Sequence, residues 1–376
     1  MDIALQPKQT TGLYETPLLH QTSFWSTVKQ EQGIPTQAFD LKIRAQDIGS
    51  PSGAPYLLDD LLVLFQPVGP DTTIGYVPYG PSVRPNDEHI GTFLEELSES
   101  LHPLLPNSCI LLRYDLPWDS PWSHDPEGFD EVGQWLGPPE PDIQELRLNW
   151  GTVERNLRKS TSDQLPADTM IVNLLGSESD ILGRMKPKTR YNIRLSQRNQ
   201  VAVRKGTFND MEVFYDLYRQ TCLRNGIKLH HRAYFEAMFT PQALGQDPFD
   251  ISTDFDLLIA EFEGTPLAAI FLAYSSTRAT YLFGASSSQH RNLMGTYALQ
   301  WEAIQLAKAR GCTEYDLFGT APNNDPSHPM HGLYRFKTGF GGVELHRMGC
   351  WDYPLQQEAY RRFSSQEMVA QGYHLR

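Results

Sequence analysis

The chain has 376 residues, of which 40% are hydrophobic and 20% charged, and its formal net charge is −13. An acidic chain is a poor non-specific binder of nucleic acid, because that affinity depends on neutralising phosphates, and no run approaches the ~18 apolar residues of a membrane span. The first residues lack the basic head and apolar middle of a signal peptide, and a domain usually has about 150 residues, so we expect a cytoplasmic protein with two domains.

The first half of the sequence predicts a mixed α/β domain. The segment TSFWSTVKQEQG predicts a short amphipathic helix with Phe24, Trp25 and Val28 on one side. Strands are predicted at LLVLFQPV, TIGYVPYG and NSCILLRYDL, with a helix at FLEELSESLHPLL before the third. Residues 117–141 are rich in Pro, Gly, Asp and Trp, which is typical of a long loop.

The second half predicts two helices, an antiparallel meander, a helix and a strand. The first helix, ILGRMKPKTRYNIRLSQRN, contains Pro187, which is tolerated only near a helix start or at a break. The second, MEVFYDLYRQTCLRNG, ends at Gly226, which suits a left-handed cap. DLLIAEFEGTPLAAIFLAYSS and TYLFGASS predict the three strands of the meander, TYALQWEAIQLAKARG the last helix, and TEYDLFG the last strand.

This order of elements resembles the N-acetyltransferase (GNAT)-like fold. In acetyltransferases of that fold, glycines before the long helix let backbone N–H groups hold the pyrophosphate of acetyl-CoA. Here the corresponding residues, 291–296, place Met294 where the first of these glycines is expected. We therefore expect the scaffold without an acetyl-CoA site and without another cofactor.

Charge is unevenly distributed along the sequence. Nine acidic residues and no Lys or Arg lie between Asp115 and Glu145, whereas residues 184–206 carry eight basic residues and no acid. Arginines recur every fourth residue in that basic segment, with a lysine four residues before the first, so that one helical face holds Lys186, Arg190, Arg194 and Arg198. An RNA backbone would compensate such a face; the alternative is a solvated face that pairs with the acidic loop at 119–145.

The residues that commonly bind metals form no convincing site in the sequence. His328 and His331 lie near Asp325, but the segment resembles a loop and no third ligand follows at a helical spacing. A mobile loop on the substrate side is the preferred interpretation. Disulfides and zinc are not expected either, since there is no CxxC spacing among the four cysteines, Cys109, Cys222, Cys312 and Cys350.

Several segments, in order along the chain, closely resemble the FemABX peptidyltransferases, in particular their compact FemX-like members. They are FWSTVKQEQG, IGYVPYGP and ILLRYDLPW in the first half, and MKPKTRYNIRLSQRNQVAVRKG, YLFGASSS, MGTYALQWEAIQLAKARGCTEYDLFG and GLYRFKTGFGG in the second. The long coiled-coil arm of some members is missing, because only QALGQDPFDISTDFD separates the second helix from the meander.

The resemblance implies two tandem GNAT-like domains. The first would comprise residues 1–165, completed by the C-terminal segment 349–376, and would bind the muropeptide; the second, residues 166–348, would be catalytic and face the tRNA. The implied activity is transfer of an amino acid from aminoacyl-tRNA to the stem-peptide amine of a peptidoglycan precursor, which builds the interpeptide bridge. The protein would be a monomer and, with a lipid-linked acceptor, would touch the inner face of the membrane.

The resemblance also assigns roles to individual residues. Lys29 and Arg224 would hold the diphosphate of the acceptor, for which an ammonium and a guanidinium fork are suited. The alternatives are a solvated helix lysine and a cation at a helix C-terminus. Asp115 would orient the acceptor amine, or else cap a turn. Tyr281 would line the cleft, or else belong to the core.

Lys337, in HGLYRFKTGFGG, is the candidate catalytic residue. From its neighbours alone, its stem would pack on Phe336 while the ammonium reaches water. The resemblance implies instead that the ammonium stabilises the oxyanion formed during acyl transfer, with the glycines that follow leaving room for the acyl end of the tRNA. Two other functions remain open. One is an aminoacyl-tRNA-dependent ligase acting on a natural-product or protein N-terminal amine, and the other is a degenerate GNAT-like binding protein.

Overall fold

A computed structural model describes residues 1–50, 53–243 and 253–370. Its strands are β1 (Ile3–Lys8), β2 (Thr36–Arg44), β3 (Tyr56–Gly69), β4 (Thr72–Val77), β5 (Cys109–Asp119), β6 (Arg158–Lys159), β7 (Asp168–Asn173), β8 (Ala202–Gly206), β9 (Thr253–Phe262), β10 (Thr265–Ser275), β11 (Arg278–Ser286), β12 (Glu314–Gly319) and β13 (Val343–Pro354). The predicted mixed α/β class is confirmed.

The helices include several that were not predicted from the sequence, among them α10, which carries Lys337. In chain order they are α1 (Ser23–Glu31), α2 (Ile90–Leu101), α3 (Pro141–Leu148), α4 (Glu178–Arg184), α5 (Pro187–Arg198), α6 (Met211–Asn225), α7 (Arg232–Glu236), α8 (Thr240–Ala243), α9 (Gly295–Ala309), α10 (His331–Lys337) and α11 (Gln357–Ala370). Within the described residues, none of these helices has the length and apolar character needed to cross a membrane.

The chain divides into two compact units. Unit 1 comprises Met1–Tyr14, His20–Ala167 and the described residues from His346 onward, and unit 2 comprises Glu15–Leu19 and the described residues of Asp168–Leu345. The C-terminal helix α11 therefore belongs with the N-terminal part of the chain. It is held there by Arg113 of β5, whose guanidinium donates to Asp352 and to Glu367 of the helix at 2.7–2.8 Å.

The sheet of unit 1 has the strand order β1-β2-β3-β4-β5-β13. Its pairs are antiparallel except β4 and β5, which are parallel and are connected through α2. The apolar side of α2, with Phe93, Leu94 and Leu97 fully buried, packs on the sheet and completes the core. A right-handed crossover through a helix is the usual connection of parallel neighbours.

The sheet of unit 2 has the order β7-β12-β11-β10-β9-β8. Here β11 and β12 form the parallel pair and α9 connects them. The predicted meander of β9, β10 and β11 is confirmed as antiparallel. Trp301 and Ile304 of α9, three residues apart on one helical face, are buried in the core.

The sequence predictions differ from the structure at element boundaries. The helix predicted over residues 181–199 is two helices, α4 and α5, separated at Met185 and Lys186, and Pro187 opens α5. The predicted loop at 117–141 begins later, because β5 continues to Asp119, and it contains two short 3-10 turns. Residues 244–252 and 371–376 lie outside the described part of the chain. The prediction that the coiled-coil arm is missing falls on the first of these segments.

Candidate active site

Lys337 is a buried lysine at the last position of α10. Only 3% of the residue is exposed, and its ammonium donates to the carbonyls of Phe318 and Gly319 at 3.2 and 2.5 Å. Burial lowers the pKa of Lys337 to about 7, against a smaller opposing effect of the Asp316 charge. The interpretation as a lysine whose head reaches water is therefore wrong, and the side chain can hold or release a proton near neutral pH.

The end of β12 has the geometry that presents those two carbonyls. Phe318 has φ 61°, a conformation that non-glycine residues rarely adopt. The buried carboxylate of Asp316 stabilises the turn by accepting from the Phe318 N–H at 2.7 Å and from the hydroxyl of Thr169. Backbone strain of this kind is concentrated at functional sites. Asp316 was missed in the sequence analysis, although TEYDLFG places an acid two residues before the turn.

Tyr281 of β11 lies beside Lys337. The ammonium is 5.4 Å from the centre of the tyrosine ring, within the range of a cation–π contact. Burial raises the pKa of Tyr281 to about 12, so its hydroxyl stays protonated and can donate a hydrogen bond. The structure thus brings together two of the predicted site residues of unit 2.

The glycines after Lys337 serve packing in this structure. Gly341 has φ 74°, and a Cβ there would lie 2.3 Å from the carbonyl oxygen of Arg184. A Cβ on Gly339 would lie 2.3 Å from the hydroxyl of Thr189. The expectation that these glycines leave room for an acyl group is therefore wrong: their space is filled by the chain around α4 and α5.

Arg224 lies near the end of α6, which Gly226 closes in the predicted left-handed conformation at φ 65°. Its guanidinium donates to the carbonyl and hydroxyl oxygens of Ser286 at 3.1 and 3.0 Å and to the Ser288 hydroxyl at 3.1 Å. Partial burial and the charge of Arg291 lower the pKa of Arg224. Two guanidinium groups thus approach each other near the end of β11, which favours an anion there.

The start of α9 has non-glycine residues with a left-handed backbone conformation. Met294 occupies the N-cap position with φ 61° and offers no side-chain hydrogen bond to the helix. His290, four residues earlier, also has a positive φ of 54°. Side chains therefore project from the positions where a pyrophosphate-binding loop needs glycine.

The basic face of α5 separates into two parts. Lys186 donates to the Thr338 hydroxyl at 3.0 Å, and Arg190 donates to the Met185 carbonyl at 2.6 Å, so both have local structural contacts. Arg194 and Arg198 are exposed, and the Arg198 guanidinium lies 5.7 Å from the centre of the exposed Tyr191 ring. The outer half of the helix therefore presents two cations and an aromatic ring to solvent.

Asp115 lies on β5 and is only 1% exposed. Its carboxylate accepts from the Tyr76 hydroxyl, from the Leu165 N–H at 2.8 Å and from the Cys350 thiol at 2.8 Å. Burial, together with the charge of Asp163, raises the pKa of Asp115 to about 6. Three donors thus fix this carboxylate. One of them is the Tyr76 hydroxyl, and the carboxylate orients that hydroxyl in turn.

One group of metal-ligating side chains is found in the described part of the chain. Ligand atoms of Asp115, Asp163 and Cys350 lie within 4.8 Å of one another. Hydrogen-bond donors already occupy these atoms: the Cys350 N–H donates to Asp163 at 2.6 Å, and the ammonium of Lys159 lies 3.3 Å from the same oxygen. A neighbouring ammonium disfavours a bound cation. His328 and His331 also make local contacts, to the Met330 N–H and to Asn324.

Lys29 is half-buried on the last turn of α1, a helix capped by Thr22. Its ammonium lies 4.6 Å from the centre of the Trp25 ring and donates to Gln32 at 2.9 Å. Burial lowers the pKa of Lys29 to about 8. A fully solvated lysine would show no such shift, so the structure disfavours that alternative.

Comparison with solved structures gives a clear fold relationship. The chain superposes on the crystal structure of FemX with a TM-score of 0.70 over 94% of this chain and 96% of that one, at 17% sequence identity. At that identity the match shows a shared fold. It extends over both units.

Curated relatives match parts of the chain. A lipid II:glycine glycyltransferase of Staphylococcus haemolyticus is 32% identical over 106 residues, which are 28% of this chain and 25% of the relative. One from Staphylococcus epidermidis is 22% identical over 249 residues, 52% of this chain and 60% of the relative. The matched part thus spans between a quarter and about three fifths of these relatives.

The family comparison covers most of the sequence. The model of the FemAB family matches residues 13–242 and 256–365, which include every predicted site residue from Lys29 to Lys337. The chain belongs to the FemAB family.

Proposed function

We propose that this protein is an aminoacyltransferase that moves an amino acid from aminoacyl-tRNA to the stem-peptide amine of a peptidoglycan precursor. The observation that carries the proposal is the buried ammonium of Lys337, held by two carbonyls beside Tyr281 in a chain of the FemAB family. The named activity of the staphylococcal relatives supports an acceptor of this class.

The chemistry needs positioning and charge stabilisation more than an enzyme nucleophile. The acceptor amine forms a bond to the ester carbonyl carbon, the ester C–O bond breaks, and the proton lost by the amine passes to the leaving ribose oxygen. Lys337 stabilises the negative oxygen of the tetrahedral intermediate, a contribution of about 3 kcal/mol for a well-placed donor. Juxtaposition of amine and ester contributes as much as ~7–11 kcal/mol.

Asp115 acts on the acceptor amine through the group that it holds. The Asp115 carboxylate is buried and already accepts three hydrogen bonds. Its effect on the acceptor amine is therefore passed on by the Tyr76 hydroxyl. In the ionised form Asp115 keeps that hydroxyl oriented with an oxygen lone pair available to an ammonium or amine. This arrangement retains the role predicted for Asp115 and adds Tyr76 to it.

The remaining predicted residues bind the two substrates. Lys29 and Arg224 hold the diphosphate of the acceptor. Arg194 and Arg198, with Lys186 and Arg190 behind them, attract the tRNA backbone. No cofactor takes part, and the protein acts as a monomer in the cytoplasm and meets the inner face of the membrane when the acceptor is lipid-linked.

A transfer assay with a mixed pool of charged tRNAs tests this function. The purified chain is incubated with UDP-linked muropentapeptide or with lipid II, and mass spectrometry of the acceptor identifies the amino acid and the number added. We expect a mass increase on at least one acceptor. No transfer to either, with the folded protein present, would contradict the proposal and favour a degenerate binding protein. Transfer to a peptide amine without diphosphate, unchanged when Lys29 is replaced, would favour a natural-product or protein acceptor.

A further inference from the structure

Several large apolar side chains are exposed on one segment of unit 1, residues 127–150. Val132 is 76% exposed, Leu136 64%, Leu146 71% and Trp150 80%. Single apolar residues on a surface are ordinary, whereas an exposed group of them marks an interaction site. This segment is therefore a candidate docking surface.

The first part of the segment is a turn with a fixed backbone. The Leu136 N–H donates to the Gly128 carbonyl at 2.8 Å, which closes the turn. Within it, the Asp130 carboxylate accepts from the Val132 N–H at 3.0 Å. Trp135, next to Leu136, is buried and anchors the turn. Val132 and Leu136 are thus held at the surface by the fold.

The helix α3 adjoins this turn and continues the surface. Both elements pack on Trp122: the Arg147 guanidinium of α3 lies 4.6 Å from the centre of the Trp122 ring, and a Cβ on Gly128 would lie 3.2 Å from the Trp122 carbonyl oxygen. Leu148 of α3 is buried. Leu146, two residues earlier, is on the opposite side of the helix and faces solvent.

Carboxylates accompany the apolar side chains. Seven Asp and Glu residues and no Lys or Arg lie from Asp125 to Glu145. Four of these carboxylates are exposed and have neither a hydrogen bond nor an ion pair within the described part of the chain. They belong to Glu127, Glu131, Glu140 and Asp142. Their charges are available to a cationic partner, and we call the exposed face of residues 127–150 the acid–apolar surface.

We propose that the acid–apolar surface binds a basic amphipathic helix of a partner protein. Such a helix lays apolar residues one turn apart on an apolar surface, here on Val132, Leu136, Leu146 and Trp150. Its Lys and Arg residues pair with the four exposed carboxylates, which speed and orient the encounter. Trp150 is the expected anchor, because tryptophan is enriched among the residues that dominate interface energy. This binding is separate from the proposed transfer reaction and does not depend on it.

The sign of the charge separates this partner from the other candidates. The cytoplasmic face of a membrane and the backbone of RNA are both negative, so unpaired carboxylates repel them. A second copy of the chain that met the same face through a two-fold axis would place carboxylates against carboxylates. A basic amphipathic helix matches the apolar and the charged parts of the surface together.

A synthetic helix tests the surface. The probe is a labelled peptide of about 18 residues, or about five helical turns, with leucines at i, i+3, i+4 and i+7 and lysines elsewhere. The reference is a scrambled peptide of the same composition. Fluorescence anisotropy measures the binding of both to the full chain. We expect the amphipathic peptide to bind about tenfold or more tightly than the scrambled one.

A double substitution tests the apolar part of the surface. Leu146→Ser with Trp150→Ser should weaken binding of the amphipathic peptide about tenfold or more, because the apolar area that the peptide covers is lost. The control is Leu58→Ser with Leu223→Ser, which alters similarly exposed positions elsewhere. It should leave the affinity within about twofold.

A second double substitution tests the charged part. Glu131→Gln with Glu140→Gln should weaken binding severalfold at low salt and little at high salt, because salt screens exposed charges. The control, Glu31→Gln with Asp71→Asn, removes the same charge from other exposed positions. It should leave the affinity within about twofold.

Equal binding of the two peptides would overturn the proposal, and so would controls that weaken binding as much as the surface substitutions. If circular dichroism shows that Leu146→Ser with Trp150→Ser does not fold, the charge substitutions and their control decide. Sedimentation with phosphatidylglycerol vesicles that is lost in the apolar variant would assign the surface to a membrane. A dimer that the same variant dissociates would assign it to a second copy. Either of these two results would overturn the proposal.

Discussion

The two units share one structural feature, a helix between two parallel strands, and each contains a lysine whose pKa is lowered by burial. In each unit, a helix connects two parallel neighbours, α2 between β4 and β5 and α9 between β11 and β12. In unit 1, half-buried Lys29 rests on an aromatic ring and has a pKa lowered to about 8. In unit 2, fully buried Lys337 is held by two carbonyls and has a pKa lowered to about 7. The difference is consistent with the roles proposed for the two lysines, anion binding for Lys29 and catalysis for Lys337.

Replacing the two lysines separately should give the largest contrast. Lys337→Met removes the charge that stabilises the oxyanion, so we expect kcat to fall about 10²–10³-fold while acceptor binding stays close to normal. Lys29→Met should instead raise the KM for a diphosphate-linked acceptor. Steady-state kinetics and calorimetric binding of the acceptor measure both.

The exposed Arg335 on the same helix provides the matched control for Lys337, and Arg335→Met should leave kcat within about twofold, the usual size of a surface change. A Lys337→Met protein that is folded and retains kcat would show that the buried ammonium has a structural role only. Loss of folding in that variant would equally favour the structural role.

The pH dependence of transfer should reflect one titrating group in each unit. Lys337 acts as the ammonium, so activity should fall as pH rises through its pKa of about 7. Asp115 acts as the carboxylate, so activity should rise as pH increases through its pKa of about 6. The profile of kcat/KM is therefore a narrow bell.

The acidic limb should disappear in Asp115→Asn, whereas Arg335→Met should keep both limbs. Because the two groups belong to different units, a change that moves only one limb assigns it to its unit. A profile that is flat between pH 5.5 and about 8 would contradict both assignments.

Much of unit 2 was predictable because its residues follow regular periods. The meander, the Gly226 cap and the apolar face of α9 are each set by residues close together in sequence. The sequence limited Pro187 to a helix start or a break, but one helix was predicted where the structure has two, α4 and α5. Local preferences of this kind predict the folded structure well when tertiary packing favours the same conformation.

The candidate site was less predictable, because its electrostatics depend on distant residues. Lys337 is buried against Phe318 and Gly319, which precede it by 19 and 18 residues. In addition, α10 is too short to show a clear helical periodicity in the sequence. Arg347 and Tyr79 are far apart in sequence, so nothing in either segment indicates their contact. Trp25 and Lys29, by contrast, lie one helical turn apart on α1, so their contact is a local one.

The outer half of α5 should give a smaller effect than either lysine, because it binds through long-range charge. The double substitution Arg194→Gln and Arg198→Gln should raise the KM for charged tRNA severalfold, with kcat nearly unchanged. The slope of log KM for tRNA against log salt concentration should fall by about 2. Lys188→Gln is the control, because Lys188 is an exposed residue of the same helix that lies outside the face formed by Lys186, Arg190, Arg194 and Arg198. Initial rates at four salt concentrations measure the slope. An unaltered slope in the double variant would mean that this face is merely solvated, and tRNA attraction would then have to come from other cations of the chain.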